Sequence, residues 1–176
     1  MSKWATYSRR GRGANVVGAE DVTLLYENAG TFQGTSSVGT TARGFAWPFS
    51  LSGGARIAGV DVKSHRSLNG PGTCGLQLWS NAAGTPGVLL SSTPTLPGLS
   101  LPTTGAYVTW AFPFPHINGV TQYWLVAWAS TLDASNYWIV SRGGAAGNTW
   151  TSVAGASWVG PVSLYLPQYR LRGVAD

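Results

Sequence analysis

The sequence predicts an all-β fold, an antiparallel β-sandwich, and three observations carry that prediction. Glycine (24 residues) and aromatic residues (nine Trp, seven Tyr and five Phe) are abundant, which is typical of short strands joined by tight turns. Good helix formers are scarce, since the chain has only two Lys and two Glu, and no long stretch shows a 3.6-residue apolar period. Short segments of alternating apolar and polar residues recur instead, separated by Gly, Pro, Asn and Ser.

The strand signals follow one another closely along the chain. The cleanest alternation runs through residues 107–114, where every second residue is large and apolar. Residues 122–129 (QYWLVAWA) are apolar on both faces, so we expect a central strand covered on both sides. Residues 143–147 and the surroundings of Trp150 and Trp158 are rich in Gly, Ala and Ser, and we expect loops there. The full series of expected strands, after a candidate first strand at 22–26, is 45–51, 57–64, 75–80, 88–90, 107–114, 122–129, 137–141 and 162–171.

About eight short strands favour a jelly-roll-like sandwich, because eight is the strand number of that architecture. We expect it to occupy residues 41–176 as one domain, since no Pro-rich or charged linker divides this part of the chain. Residues 1–40 are expected to form an extended N-terminal arm and a loop rich in Gly, Thr and Ser.

The charge of +5 is concentrated in the arm. Its first dozen residues carry four cations and no acid, whereas residues 13–176 hold seven basic and six acidic groups and are nearly neutral. A short basic arm can contact nucleic acid or an acidic protein groove, or it can be a solvated terminus. Two aromatic anchors add to the basic groups, and the residues expected to carry assembly are therefore Lys3, Trp4, Tyr7, Arg9, Arg10 and Arg12.

Charged residues make up only 10% of the chain, against the usual ~25%. A body with so little charge and nine Trp would be a poorly soluble monomer, so we expect its apolar patches to be covered in a homo-oligomer or a larger shell. The N-terminus has no apolar run that would act as a secretory signal, and no segment approaches the ~18 apolar residues of a membrane span. We therefore expect synthesis in a cytoplasm and no membrane partner.

Several segments together resemble a known domain. Leu76-Gln77-Leu78-Trp79-Ser80 is followed by Gly84-Thr85-Pro86-Gly87, and later come Val108-Thr109-Trp110-Ala111-Phe112 and Thr121-Gln122-Tyr123-Trp124-Leu125-Val126. This series, over about residues 41–173, resembles a jelly-roll domain of tailed-bacteriophage virion proteins and related bacterial surface proteins. It departs from the usual pattern at Asn118-Gly119-Val120, where Ala-Gly is common, and residues 1–40 lie outside it.

The resemblance implies a protein that decorates, assembles or attaches and does not catalyse. It implies a structural virion protein, either a capsid decoration or cement subunit or a tail-associated one, made in the host cytoplasm. Its partners would be other virion proteins, capsid or tail subunits. Binding of nucleic acid by the arm alone is a further, less favoured hypothesis.

Enzyme chemistry is disfavoured by the residues themselves. Four of the six acids lie in the arm, its junction or the terminus, and nothing places the other two, Asp61 and Asp133, together as a glycosidase pair. His65 and His116 have no obvious orienting partner, and with Cys74 they lack metal-ligand spacing. Cys74 itself is expected to be a buried strand residue. No cofactor and no metal are therefore expected, with a calcium site at Asp133 as the alternative.

The aromatic strand residues support a second hypothesis, a glycan-binding module for host attachment. Sugar rings stack on Trp, and Trp also supplies binding energy at subunit interfaces, so both functions fit the same residues. If Leu76, Leu78 and Leu125 face the core, Trp79 and Trp124 lie on the opposite face. The residues expected to contact a glycan or another subunit are Trp79, Trp124, Trp128 and Trp138.

Overall fold

A computed structural model of the chain describes residues 22–39, 43–131, 133–152 and 157–176. These residues form thirteen strands, all paired antiparallel, so the all-β antiparallel prediction is confirmed and the number of strands exceeds the expected eight. The described part of the chain contains no helix that is long and apolar enough to cross a membrane. In chain order the strands are β1 (Thr23–Asn28), β2 (Phe32–Val38), β3 (Gly44–Phe49), β4 (Ala55–Arg66), β5 (Thr73–Ala82), β6 (Thr85–Ser92), β7 (Leu96–Pro97), β8 (Ala106–Ala111), β9 (His116–Ile117), β10 (Tyr123–Ala129), β11 (Trp138–Ser152), β12 (Val159–Pro167) and β13 (Tyr169–Ala175).

The strand pairings form two layers that share β11. In the first, β4 pairs with β13 on one side and with β8 and β9 on the other, and β1 extends the layer beyond β13. We call this the β4 layer. The second has the order β12, β11, β3, β10, β5 and β6, with β7 beside β5. We call this the β10 layer. The first residues of β11 pair with β4 and β2 and its last residues with β3, so that one strand connects the layers.

The main core lies between the two layers. Phe45, Trp47 and Phe49 alternate along β3 and all point into it, as the sequence predicts. Trp47 contacts Tyr169 of the β4 layer, with ring centroids 5.9 Å apart. Residues of β4 and β8 alternate in the same way, so that Val60, Val62 and Trp110 are buried in this core. The fold is therefore sandwich-like, and each layer keeps an outer face.

Two expectations about segment boundaries need correction. The candidate strand at 22–26 corresponds to β1, but the loop expected after it contains β2; because β1 pairs with β13 and β2 with β11, residues 23–38 belong to the sheet and not to a separate arm. Residues 143–147 were expected to be a loop, but they continue β11. Glycine explains this second error, because a Cβ at Gly143 or Gly144 would lie within 3 Å of atoms in the segment before β2. The backbones approach closely where the sequence offers no side-chain pattern.

The alternation at residues 107–114 also ends earlier than expected. Val108, Trp110 and Phe112 contact or join the core, but β8 stops at Ala111. Phe114 has a positive φ of 52° and is 39% exposed, so it does not continue the buried face. It lies between Pro113 and Pro115, and neither proline can donate a ladder hydrogen bond.

Candidate binding and assembly surfaces

The central strand β10 is covered on both faces, as the sequence predicts. Tyr123, Leu125, Ala127 and Ala129 point into the main core. Trp124 and Val126 point the other way and form a second, smaller apolar cluster with Ala46 of β3. The side that carries this second cluster is the outer face of the β10 layer.

Four tryptophans assemble on this outer face, and we call them the tryptophan cluster: Trp79, Trp124, Trp150 and Trp158. Trp124 lies directly opposite Trp79 of β5 in the strand register. Trp150 of β11 lies opposite Ala46. The ring of Trp158 meets that of Trp79 edge to face, with centroids 5.7 Å apart. A Cβ added to Gly44 would lie 3.4 Å from the Trp158 ring, so small residues on β3 make the room for these large rings.

Side-chain amides orient two of the indoles. Trp79 Nε1 donates to Gln77 Oε1 at 3.0 Å, and Trp124 Nε1 donates to Asn81 Oδ1 at the same distance. Gln122 also donates to Asn81 Oδ1, at 3.4 Å. Buried indole N–H groups usually find such acceptors, although the buried Nε1 of Trp150 has no hydrogen-bond partner among the described residues. The cluster thus combines aromatic rings with uncharged amides.

The structure brings together some of the predicted aromatic residues and excludes one. Trp79 and Trp124 are neighbours, and Trp128 lies on the same strand face, half-buried, opposite Gly44 and Gly75. Trp138 does not belong to this surface, which corrects the prediction. Its side chain is fully buried in the main core, where its ring packs on Trp110 with centroids 5.1 Å apart.

Trp150 and Trp158 are the members of the cluster that the sequence did not indicate. Both were placed in a loop region because Gly, Ala and Ser surround them. The run Thr149-Trp150-Thr151 contains residues that favour strands, and it was the one available signal for Trp150. Trp158 has no comparable signal, since it lies just before β12 and reaches the cluster from outside the sheet.

Charge is distributed unevenly between the two layers. The sequence has no Asp, Glu, Lys or Arg between Arg66 and Asp133, and none between Arg142 and Arg170. These two stretches contain β5 to β10, most of β11 and all of β12. By contrast, the outer face of the β4 layer carries most of the described charges, among them Arg56, Asp61, Lys63, Arg170 and Arg172. The β10 layer is thus almost uncharged.

The two edges of the β10 layer expose apolar side chains. Within the described chain, β6 pairs only with β5, and β12 pairs only with β11. Most natural edge strands carry charges or bulges that prevent further pairing. Neither edge strand here carries a charge, but the β5–β6 and β11–β12 ladders each contain two register shifts of the kind that bulges produce. Their exposed large apolar residues are Val88, Leu89 and Leu90 on β6, and Val159, Val162 and Tyr165 on β12.

The outer face of the β4 layer has a recess of about 340 Å³ next to Asp61. Much of the lining consists of small residues, Ala58, Gly59 and Ala111, and the absence of large side chains there leaves the depression open. Asp61 accepts hydrogen bonds from Thr109 Oγ1 at 2.8 Å and from Arg172 Nε at 2.7 Å. The carboxylate is therefore engaged within the protein.

The other titratable groups weighed from the sequence lie on different elements and do not form a common site among the described residues. Asp133 follows β10, where it accepts hydrogen bonds from Asn136 and the Ser135 amide, and these bonds lower the pKa of its carboxyl group. His116 lies 2.9 Å from Asp176 near the surface. Burial raises the pKa of Cys74 to about 12, and its thiol contacts the Leu96 carbonyl. In the described ranges, no three His, Cys, Asp or Glu side chains group as metal ligands do.

The predicted assembly residues of the arm, Lys3, Trp4, Tyr7, Arg9, Arg10 and Arg12, lie outside the described residues.

Comparison with known proteins identified no relative of this chain. A scan against protein-family models gave no match, and searches of the curated proteins and of the solved structures found none either.

Proposed function

We propose that this chain is a non-enzymatic structural subunit of a tailed-bacteriophage virion with jelly-roll connectivity, a capsid decoration or cement subunit or a tail-associated one. The observation that carries the proposal is the nearly uncharged β10 layer with apolar side chains on both of its edges. The sequence resemblance given above supplies the virion context.

The physical argument concerns the cost of covering a surface. Burying charged groups requires the removal of their hydration, whereas burying apolar surface is favourable by roughly 25 cal/mol per Å². Six large apolar side chains are exposed along the two edge strands. Soluble monomers rarely expose extended apolar patches, and such patches mark interaction sites. The β10 layer is therefore suited to burial in an assembly.

The arm residues support a tethering role toward another molecule. Each described carboxylate already has a partner within the chain: Glu27 with Arg170, Asp61 with Arg172, Asp133 with Asn136, and Asp176 with His116. Two of these carboxylates, Glu27 and Asp61, are paired with arginines of the same chain. We propose that Arg9, Arg10 and Arg12 bind an acidic surface on a capsid or tail subunit, with Trp4 and Tyr7 as apolar anchors.

Incorporation into particles tests this proposal. Purified particles should contain the full chain, and a variant without residues 1–20 should be absent from them while it keeps the circular dichroism spectrum of the full chain. Replacing Arg9, Arg10 and Arg12 together by Gln should reduce incorporation, whereas replacing Arg56 by Gln on the β4 layer should not. Normal incorporation of the truncated chain would contradict the tether, and absence of the full chain from particles would contradict the virion function.

Glycan binding is the second candidate, and one observation favours it. The half-buried rings of Trp79 and Trp128 share an uncharged face with the amides of Gln77, Asn81 and Gln122, a combination that can stack on and hydrogen-bond to a neutral sugar. A glycan array would reveal this binding. The Trp79→Ala variant should lose it, while Trp150→Ala tests whether the half-buried ring on β11 also contributes. If no host polysaccharide binds to the intact chain, assembly remains as the function.

A further inference from the structure

The β10 layer has two free edges that run in opposite directions. Its strand order is β12, β11, β3, β10, β5 and β6, and each neighbouring pair is antiparallel. Because the number of strands is even, β12 at one edge is antiparallel to β6 at the other. Two copies placed side by side in the same orientation would therefore bring β6 of one copy next to β12 of the next as an antiparallel pair.

The two edges also match in length and chemistry. β6 has eight residues and β12 has nine. Both lack charge, and both expose branched or aromatic side chains of the kind that stabilises strand pairing. Prolines, which cannot donate a ladder hydrogen bond, stand near the ends: Pro86 in β6, and Pro161 and Pro167 in β12. The stretches between them, residues 87–92 and 162–166, are free of proline. Residues 162–165 keep a regular register with β11, whereas β6 shifts its register against β5 between Leu89 and Ser91.

We propose that β6 of one copy pairs with β12 of a second copy, so that copies associate head to tail through the β10 layer. The inference rests on the assembly function proposed above and names its partner surface. A two-fold pairing of β6 with β6 would cover only one kind of edge and leave every β12 exposed. The head-to-tail contact covers both kinds, and repetition of such a contact gives a ring or a filament.

Single lysines on the two edges test the contact. Val88 is 68% exposed on β6 and Val162 is 47% exposed on β12, so Val88→Lys and Val162→Lys each place a charge on one edge and leave the core intact. The wild-type chain should sediment as an oligomer in analytical ultracentrifugation. Each variant alone should sediment as a monomer, because one partner of every contact is blocked.

Mixing the two variants separates a head-to-tail contact from a two-fold one. The Val88→Lys chain keeps an intact β12 and the Val162→Lys chain an intact β6, so the mixture should form a species of twice the monomer mass and nothing larger. Under a β6-to-β6 contact, Val162→Lys alone would dimerise and mixing would add nothing. Val120→Lys is the matched control, since Val120 is 86% exposed in a turn outside both edges, and this variant should remain an oligomer.

Clear outcomes overturn the inference. A monomeric wild-type chain overturns it, and so does dimerisation of either edge variant alone. Should Val88→Lys or Val162→Lys lose the circular dichroism spectrum of the wild type, Leu90→Lys and Val159→Lys replace them on the same edges. Incorporation into particles is measured separately. A wild-type monomer that still enters particles contradicts the head-to-tail contact and leaves the virion function in place.

Discussion

Asp61 and Arg172 form an ion pair in which the carboxylate is almost fully buried while the guanidinium reaches solvent. Arg172 Nε lies 2.7 Å from Asp61 Oδ2, and Asp61 is only 4% exposed. Buried acids of this kind require hydrogen-bond donors, and Thr109 supplies the second one. The pair thus connects β4, β8 and β13 across the outer face of the β4 layer.

Replacing Asp61 by Ala should destabilise the fold, because Thr109 and Arg172 then lose their acceptor. We expect the free energy of unfolding in urea to fall by about 1–3 kcal/mol. The control is Glu27→Ala, which breaks the pair with Arg170, whose two side chains are both about one-third exposed. Exposed pairs contribute at most about 1 kcal/mol. If both variants lost the same free energy of unfolding, the buried ion pair of Asp61 would contribute no more to stability than the exposed pair of Glu27.

Replacing Asn81 by Ala should loosen the tryptophan cluster. Asn81 Oδ1 accepts from Trp124 Nε1, from the Gly84 amide and from the Gln122 side chain, so three donors lose their partner. A loss of about 1 kcal/mol in unfolding free energy is expected, together with a shifted tryptophan emission maximum. Asn81→Asp keeps an acceptor in the same place and should retain more of the stability. If Asp and Ala at position 81 behave alike, these hydrogen bonds do not hold Trp124.

Replacing Trp138 by Ala should be far more damaging than the same change at Trp128. Trp138 is fully buried against Trp110, so its removal leaves a cavity and should cost about 3–5 kcal/mol. Trp128 is half-buried on the outer face, and its loss should cost less than half as much. Thermal unfolding of both variants measures the difference. Comparable midpoints would contradict the assignment of Trp138 to the core.

The carboxyl group of Asp133 should give a pH-dependent signal in its loop. Hydrogen bonds from the Asn136 side chain and from the Ser135 and Asn136 amides lower its pKa below the ordinary value of 3.8. A lowered folded pKa means that the stabilisation is present above the unfolded value and is lost as the pH falls through the folded one. The Ser135 and Asn136 amide resonances should therefore shift below pH 3.8 in an NMR titration. Asp133→Asn should abolish this titration, and a midpoint above 3.8 would contradict the hydrogen bonds.

Side-chain periodicity was sufficient to predict the class of fold and its central strand. Residues 45–49 and 122–129 alternate or are apolar throughout, and the structure buries them as expected. It failed where backbone contacts determine the structure. Gly143 and Gly144 give no pattern, yet close approach to the residues before β2 keeps them in strand β11. A single sequence contains little information about such contacts.

The candidate surface was predictable in part for a related reason. Trp79 and Trp124 share one face with each other because strand residues alternate, and this could be inferred from Leu76, Leu78 and Leu125. Trp138 also sits among apolar residues on a strand, but which of its two faces meets the core depends on the pairing of β11 with β4 and β2. The free edges at β6 and β12 follow from the strand order, which local sequence does not reveal.

The long strand β11 constrains the order in which the chain can fold as it is synthesised. The residues of β11 complete both layers. The first strand, β1, can pair only after β13 has been synthesised, because Thr23 pairs with Gly173. Neither layer can close until residues 138–175 have left the ribosome, so the earlier strands, several of them apolar and uncharged, emerge without their partners. Long-range pairing of this kind is slow and leaves strands open to aggregation in the meantime. During translation, the nearly uncharged strands β5 to β10 therefore emerge before the C-terminal strands that complete both layers.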